Sequence, residues 1–275
     1  MKEKTLFLIK KVFFLHNHPI YLIYFSFIQG RNFINSIAQH ATEVGLSINV
    51  SKTECMTTDK TNLTLQLSIY GKPIKQVEEF IYLGHKVSST NNGTTAVKHR
   101  IALGWAAFGK NKQLLTSKRI PLRIKVKIYN TYILPVVLYG LECVNWTAKL
   151  SNTTETFQNH IMRWMTNHRL TDHIEIKELR RLTSLKPIMA IIKSRTLKLF
   201  GHIKRSQIGL TKLCLEGLVE GKRSRGRQPK RWRDNIYEWS KLDLPTLNKI
   251  TQNRNLWRRM THVGAHSATS GDSET

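Results

Sequence analysis

Negative charge is what this sequence has least of. Only 18 Asp and Glu stand against 44 Lys and Arg, and 44 − 18 leaves +26 over 275 residues. Such an excess repels itself and attracts polyanions, so nucleic acid or an anionic membrane surface is the expected partner rather than an acidic protein. Cysteine is nearly as scarce. Cys55, Cys143 and Cys214 are odd in number and far apart, which excludes a disulfide framework and any CxxC zinc pair, and fits a reducing compartment. Cys143, His160, His168 and His173 have no ligand spacing of a knuckle or a helix. His16-Asn17-His18 beside Pro19 lacks the surroundings of a nuclease motif and is taken as a turn. Asn145-Trp146-Thr147 is a sequon with no sign of secretion around it.

Long hydrophobic runs are also missing. Residues 6–9, 12–15 and 20–28 are apolar, but Lys10-Lys11 and the His-Asn-His-Pro break interrupt them before about 18 apolar residues accumulate. Neither a spanning helix nor a clean signal peptide results. An anchor at 20–28 is the minor reading, and a buried strand or helix the plainer one. The hydrophobic fraction is 40%, which excludes wholesale disorder. Length allows one large or two small domains at about 100–200 residues each.

From Arg31 the pattern becomes that of a folded domain. Phe33, Ile34, Ile37, Ala38 and Ala41 recur at helical spacing and Gly45 ends the series, predicting a helix over 31–44. Leu46, Ile48 and Val50 alternate as in a strand and run into a Ser51-Lys52-Thr53 turn. Leu63, Leu65, Leu67 and Ile69 alternate again, Tyr70-Gly71-Lys72-Pro73 turns the chain, and Gly84 stops the apolar run 80–83. A small antiparallel sheet with one covering helix is expected.

Several blocks, taken in order, carry a resemblance. Gly45-Leu46-x-Ile48-Asn49-Val50-x-Lys52-Thr53, then Phe80-x-Tyr82-Leu83-Gly84-x-x-Val87-Ser88, resemble the end of the palm in reverse transcriptases of LINE-type (non-LTR) retrotransposons. The stretch from Arg100 through Trp105 to Phe108 resembles the first thumb helix of that family. Leu134-Pro135-x-x-x-Tyr139-Gly140-x-Glu142 resembles its Leu-Pro-x-x-x-Tyr-Gly-x-Glu segment. Leu199-Phe200-Gly201-His202-Ile203-x-Arg205, and the basic run 220–234 with Arg225-Gly226-Arg227-x-Pro229, resemble its C-terminal region. The similarity covers about residues 31–260.

The family's RNA-directed DNA polymerase activity uses Mg2+ held by carboxylates, among them an Asp-Asp pair upstream of the Gly-Leu-x-x-Asn motif. Here no Asp-Asp dipeptide occurs, the first aspartate is Asp59, and only Glu3 and Glu43 precede Glu54 as acids. The expectation is a truncated product whose first thirty residues replace the polymerase core, with no catalytic residue, no metal site and no cofactor. By resemblance Lys52 occupies the palm position that approaches a nucleotide triphosphate, an idle role without metals; a solvated turn lysine is the alternative. Phe80, Tyr82, Leu83 and Gly84 resemble the primer grip, or are simply an aromatic strand under a helix.

In the helical half, Ile101, Trp105, Phe108 and Leu115 form one stripe, with Lys98, Arg100, Lys110 and Lys112 placed on the opposite face. Leu122, Val126, Tyr129, Ile133 and Val136 repeat the pattern, with a kink or stop expected at Pro135. Phe157, Ile161, Trp164 and Met165 form a further apolar face, and 188–203 another. The sharpest local feature is Lys222, Arg223, Arg225, Arg227, Lys230, Arg231 and Arg233, broken by Gly221, Gly226 and Pro229: an arm able to follow a phosphate backbone, with nuclear import or simple solubilisation as competing uses. Short helices are expected around 232–239 and 247–260.

The expected fold is α+β and mostly α. A segment over 1–30 precedes a palm remnant over 31–95. A thumb-like helical part follows over 96–150, a basic helical region over 151–262 and a polar tail over 263–275. RNA or DNA held through phosphates is the expected partner, a membrane is not, and the location is nuclear or cytoplasmic. The rivals are a host-adopted nucleic-acid-binding protein and a functionless retrotransposon relic.

Overall fold

The computed structural model describes residues 7–13, 19–24, 27–57, 66–89, 93–206, 210–216, 226 and 230–263. It divides at Thr95/Ala96 into two compact units. Small sheets lie in the first and helices dominate the whole, an α+β fold that is mostly α.

The first unit contains β1 (Phe7–Phe13), β2 (Pro19–Tyr24), α1 (Phe27–Glu43), β3 (Glu54–Thr57), β4 (Ser68–Ile69), β5 (Lys72–Pro73), β6 (Lys75–Gln76), β7 (Glu79–Tyr82) and β8 (His85–Ser88). Its main sheet has the order β2-β1-β3-β6. The N-terminal segment is thus part of that sheet, with Leu8 opposite both Ile23 and Met56. The sheet is mixed rather than antiparallel throughout, because β3 and β6 run parallel.

Helix α1 ends as its sequence predicts. Gly45 has φ +74°, its N–H donates to Thr42 O, and Leu46 N–H reaches back to Ala41 O at 2.7 Å. This paired closure needs a left-handed residue, which glycine adopts at no steric cost. Ile34, Ala38 and Ala41 are buried, and Ile34 and Ala38 form a core with Ile48, Cys55, Leu67, Ile69 and Ile74.

The strand expected at 46–50 is corrected. Burial does alternate there, but 46–49 carries no ladder and Val50–Lys52 is a 3-10 turn. Asn49 decides this: its Oδ1 accepts the Lys52 N–H at 3.1 Å and the Ser51 hydroxyl at 2.8 Å. A side chain that bonds the backbone two or three residues on competes directly with strand pairing. Two hairpins follow, β4–β5 through Tyr70-Gly71 (φ 52° and 71°) and β7–β8 through Leu83-Gly84 (φ 45° and 76°). Positive φ at both central residues matches the twist of the flanking strands, and glycine supplies the second.

The second unit is built from α2 (Gly93–Thr116), α3 (Leu122–Ile128), α4 (Leu134–Leu138), α5 (Ala148–Thr166), α6 (Ile176–Thr183), α7 (Ile188–Arg205), α8 (Leu210–Glu216), α9 (Trp232–Ser240), α10 (Leu244–Gln252) and α11 (Arg254–Val263). Between α3 and α4 the chain does not stop at Pro135. It widens into a π turn over Tyr129–Ile133, where Leu134 N–H bonds Tyr129 O. A proline ring clashes with the carbonyl four residues back and offers no N–H, and the extra residue in this turn lets the helix pass it. The single helix expected over 247–260 is two, because Asn253 Oδ1 accepts the N–H groups of Asn255 and Leu256 and starts α11 afresh.

Two cores result. The larger contains Leu115, Tyr129, Ile133, Val137, Leu141, Trp146, Ile161 and Ile188, and the smaller Leu197, Phe200, Ile236, Leu247 and Trp257. Burying each large aliphatic or aromatic side chain contributes about 1.5–3 kcal/mol. Among the described residues no helix is long and apolar enough to cross a membrane.

Candidate nucleic-acid interface

In the first unit Lys52 ends the turn that Asn49 organises and its side chain is exposed. A groove of about 660 Å³ runs along this turn, lined by Asn49, Tyr70, Lys72 and Lys75 among others. Tyr70 closes one side: its hydroxyl donates to Ala38 O at 3.3 Å and accepts the Ile48 N–H at 3.4 Å. The primer-grip-like residues form the β7–β8 hairpin, with Phe80 buried, Tyr82 half-buried, and Leu83 and Gly84 exposed at its tip.

Among the described residues no three His, Cys, Asp or Glu side chains gather in one place, and Asp59 lies outside the described residues.

Along α2 the two sequence-assigned cations separate. Lys98 is exposed, whereas Arg100 is only 6% exposed and does not share its face. The Arg100 guanidinium lies 4.4 Å from the Tyr139 ring centroid, and its Nη1 donates to Val136 O at 3.5 Å. Burial pulls this guanidinium below its ordinary pKa, and Tyr139 opposes that shift. Arg100 therefore joins α2 to the Leu-Pro-x-x-x-Tyr segment as a packing residue.

What stays outside is still strongly cationic. No Asp or Glu occurs between Glu79 and Glu142. Over that span Lys98, Lys110, Lys112, Lys118, Arg119, Arg123 and Lys127 are all exposed on or beside α2 and α3.

Of the arm, Lys222, Arg223, Arg225 and Arg227 lie outside the described residues, and its C-terminal foot lies within them. There Lys230 pairs with Glu238, Arg231 N–H is capped by Asp234 Oδ2 at 2.6 Å, and Arg233 is half-buried on α9. The foot is fixed to the loop after α4: Trp232 Nε1 donates to Glu142 O at 2.9 Å, and Asn145 Nδ2 donates to Lys230 O.

A cationic feature that periodicity did not reveal lies where α2 and α5 end. Trp164, placed by its spacing on the apolar face of α5, is 46% exposed and borders a groove of about 630 Å³ together with Lys118, Arg163 and Arg169. The sequence signal was the basic run at the end of α5, His168-Arg169 after Arg163.

The chain is 28% identical over 215 residues, 74% of its length and 76% of the relative's, to a putative uncharacterized transposon-derived protein of Caenorhabditis elegans. The likeness indicates a transposon origin. No protein-family model and no solved structure matches the chain. In this sequence of transposon origin, the quoted blocks have definite structural roles. A Cβ on Gly104 would stand 2.4 Å from Val137 Cγ2 and 2.8 Å from Phe157 Cζ, so glycine lets α2 approach α4 and α5 closely. A Cβ on Gly201 would stand 2.2 Å from Trp257 Nε1, which donates to Leu197 O at 3.0 Å. Arg205 Nη1 donates to Thr251 O at 2.8 Å and so holds the last turn of α10.

Proposed function

We propose that this chain is the thumb-side part of a LINE-type reverse transcriptase, and that it binds RNA or DNA through phosphates without polymerising. The observation that carries the reading is the acid-free span between Glu79 and Glu142, which from Gly93 onward folds mainly as helices with exposed lysines and arginines. Internal ion pairs cannot absorb those charges, because the span offers no carboxylate, and exposed pairs to distant acids would be worth only about 0–1 kcal/mol each. Phosphates are the fitting counterions. Each one neutralised releases condensed cations and adds about −0.9 to the log–log salt slope on duplex DNA. The family blocks and the transposon origin agree with this reading, and the sequence without an Asp-Asp pair argues against catalysis.

The test is a fluorescence-anisotropy titration of the full chain against labelled RNA hairpin, DNA duplex and RNA–DNA hybrid at several salt concentrations. It is repeated with Arg223, Arg225, Arg227, Arg231 and Arg233 changed to alanine. Tight binding with a steep salt slope that flattens in the variant is the expected result. Binding no stronger than that of a basic peptide of equal charge overturns it and leaves ancestry alone. Primer extension with magnesium or manganese is expected to give nothing above background.

A further inference from the structure

We infer that the groove at the ends of α2 and α5 binds single-stranded nucleic acid, with a base stacked on Trp164 and the flanking phosphates held by Lys118 and Arg169, an inference that rests on the nucleic-acid reading above. Trp164 sits in the last turn of α5 with nearly half its surface in solvent. Its neighbours fix the indole and leave part of it in solvent. The Phe108 ring centroid is 6.2 Å away, tilted by 48°, and the Lys112 ammonium lies 5.4 Å from its ring.

The loop beyond α5 is rigidly held. Asn167 caps the helix at φ +59°, with its own N–H bonded to Trp164 O and that of His168 to Arg163 O. The Arg163 guanidinium then donates to Arg169 O at 3.3 Å and Ile174 O at 2.8 Å, which ties the loop back onto the helix. Asp172, the nearest acid in sequence, already accepts the Arg169 N–H at 2.7 Å. Among the described residues no carboxylate lines the groove, and the buried Nδ1 of His168 has no hydrogen-bond partner there.

Two helix C-termini face this region, and each contributes about −0.5 elementary charge. Their sum of about −1 is outweighed by Lys118, Arg163 and Arg169 together, so the groove keeps a positive potential. An anion is therefore favoured, and the exposed indole selects among anions. Stacking on an aromatic side chain is worth about 1–3 kcal/mol per base, and only an unpaired base offers its face. A duplex would engage the cations without the indole.

The experiment uses the full chain with labelled oligothymidine and a mixed-sequence duplex of equal length. Trp164→Ala is expected to weaken single-strand binding about ten-fold, within the stacking range, and to leave duplex binding unchanged. Trp164→Phe should retain most of the single-strand affinity. Tryptophan fluorescence quenched by oligothymidine in the parent should lose part of that quenching in Trp164→Phe, which reports stacking even if the alanine variant folds poorly. Lys118→Ala with Arg169→Ala should flatten the single-strand salt slope by about 0.7 per lost phosphate. Equal losses on both probes, or no loss and no change in quenching, overturn the groove. If the arm substitutions still weaken binding in that case, the broader reading stands; if the parent binds no better than a basic peptide, both fall.

Discussion

Two hydrogen bonds join the Asn235 side-chain amide to the backbone of Trp146: the Trp146 N–H donates to Asn235 Oδ1 at 3.0 Å, and Asn235 Nδ2 donates to the Trp146 carbonyl at 2.8 Å. Both residues are buried, and the contact joins the loop before α5 to the helix that follows the basic arm. Asn235→Ala leaves an N–H and a C=O unsatisfied, at about 1–3 kcal/mol each. The expected result is a loss of about 2–6 kcal/mol in urea unfolding followed by tryptophan fluorescence. Asn235→Asp keeps the acceptor, loses the donor and introduces a charge into a buried position, and should also destabilise.

Gly201 and Gly109 give opposite outcomes to the same substitution. Gly201→Ala drives a methyl into the Trp257 indole and breaks its bond to Leu197, so a loss of about 1–3 kcal/mol is expected. Gly109 lies exposed in α2 with nothing within 4 Å of an added Cβ. Gly109→Ala should therefore stabilise by about 0.5–1 kcal/mol. Thermal melts of the two variants beside the parent check both signs.

Arg100 and Lys98 separate packing from binding. Arg100→Ala removes a guanidinium stacked on Tyr139 and should lower the melting temperature while leaving the salt slope of nucleic-acid binding unchanged. Lys98→Ala is expected to leave stability within about 0.5 kcal/mol, as for an ordinary surface substitution. If Lys98 meets a phosphate, the slope falls by about 0.9. The same two assays run on both proteins distinguish the cases.

Lys125 gives a pH dependence. It is only 2% exposed, its Nζ donates to Met165 O at 2.8 Å near the end of α5, and burial lowers its pKa. The unfolded lysine titrates near about 10.4. Between the depressed folded value and that one, the unfolded chain binds more protons, so this group's contribution to stability rises with pH. Lys125→Met should remove the rise. Urea midpoints at neutral pH and near about pH 10 are expected to differ more in the parent than in the variant.

Much of the local structure was legible because short-range chemistry decides it. The periodicity of Ile34, Ala38 and Ala41 and the glycine after them specify α1 and its cap, the Tyr70-Gly71 and Leu83-Gly84 pairs specify turns, and the stripe through Phe108 and Leu115 specifies α2. Asn49 belongs to a motif but acts here as a hydrogen-bonding side chain, and the strand expected at 46–50 gives way to a turn for that reason.

The candidate site was legible as charge and not as place. The order of the residues alone shows that the chain is a polycation without an Asp-Asp pair, since neither fact depends on where the residues fold. Which cations face solvent was decided only by tertiary structure. Arg100 is buried because Tyr139, more than thirty residues later, offers its ring, and Trp164 is exposed although its spacing matches a buried stripe. The N-terminal strands likewise have their place only through pairing with β3. A helical period fixes which residues share a face, but which face is covered depends on partners distant in sequence, and those distances do not appear in any local pattern.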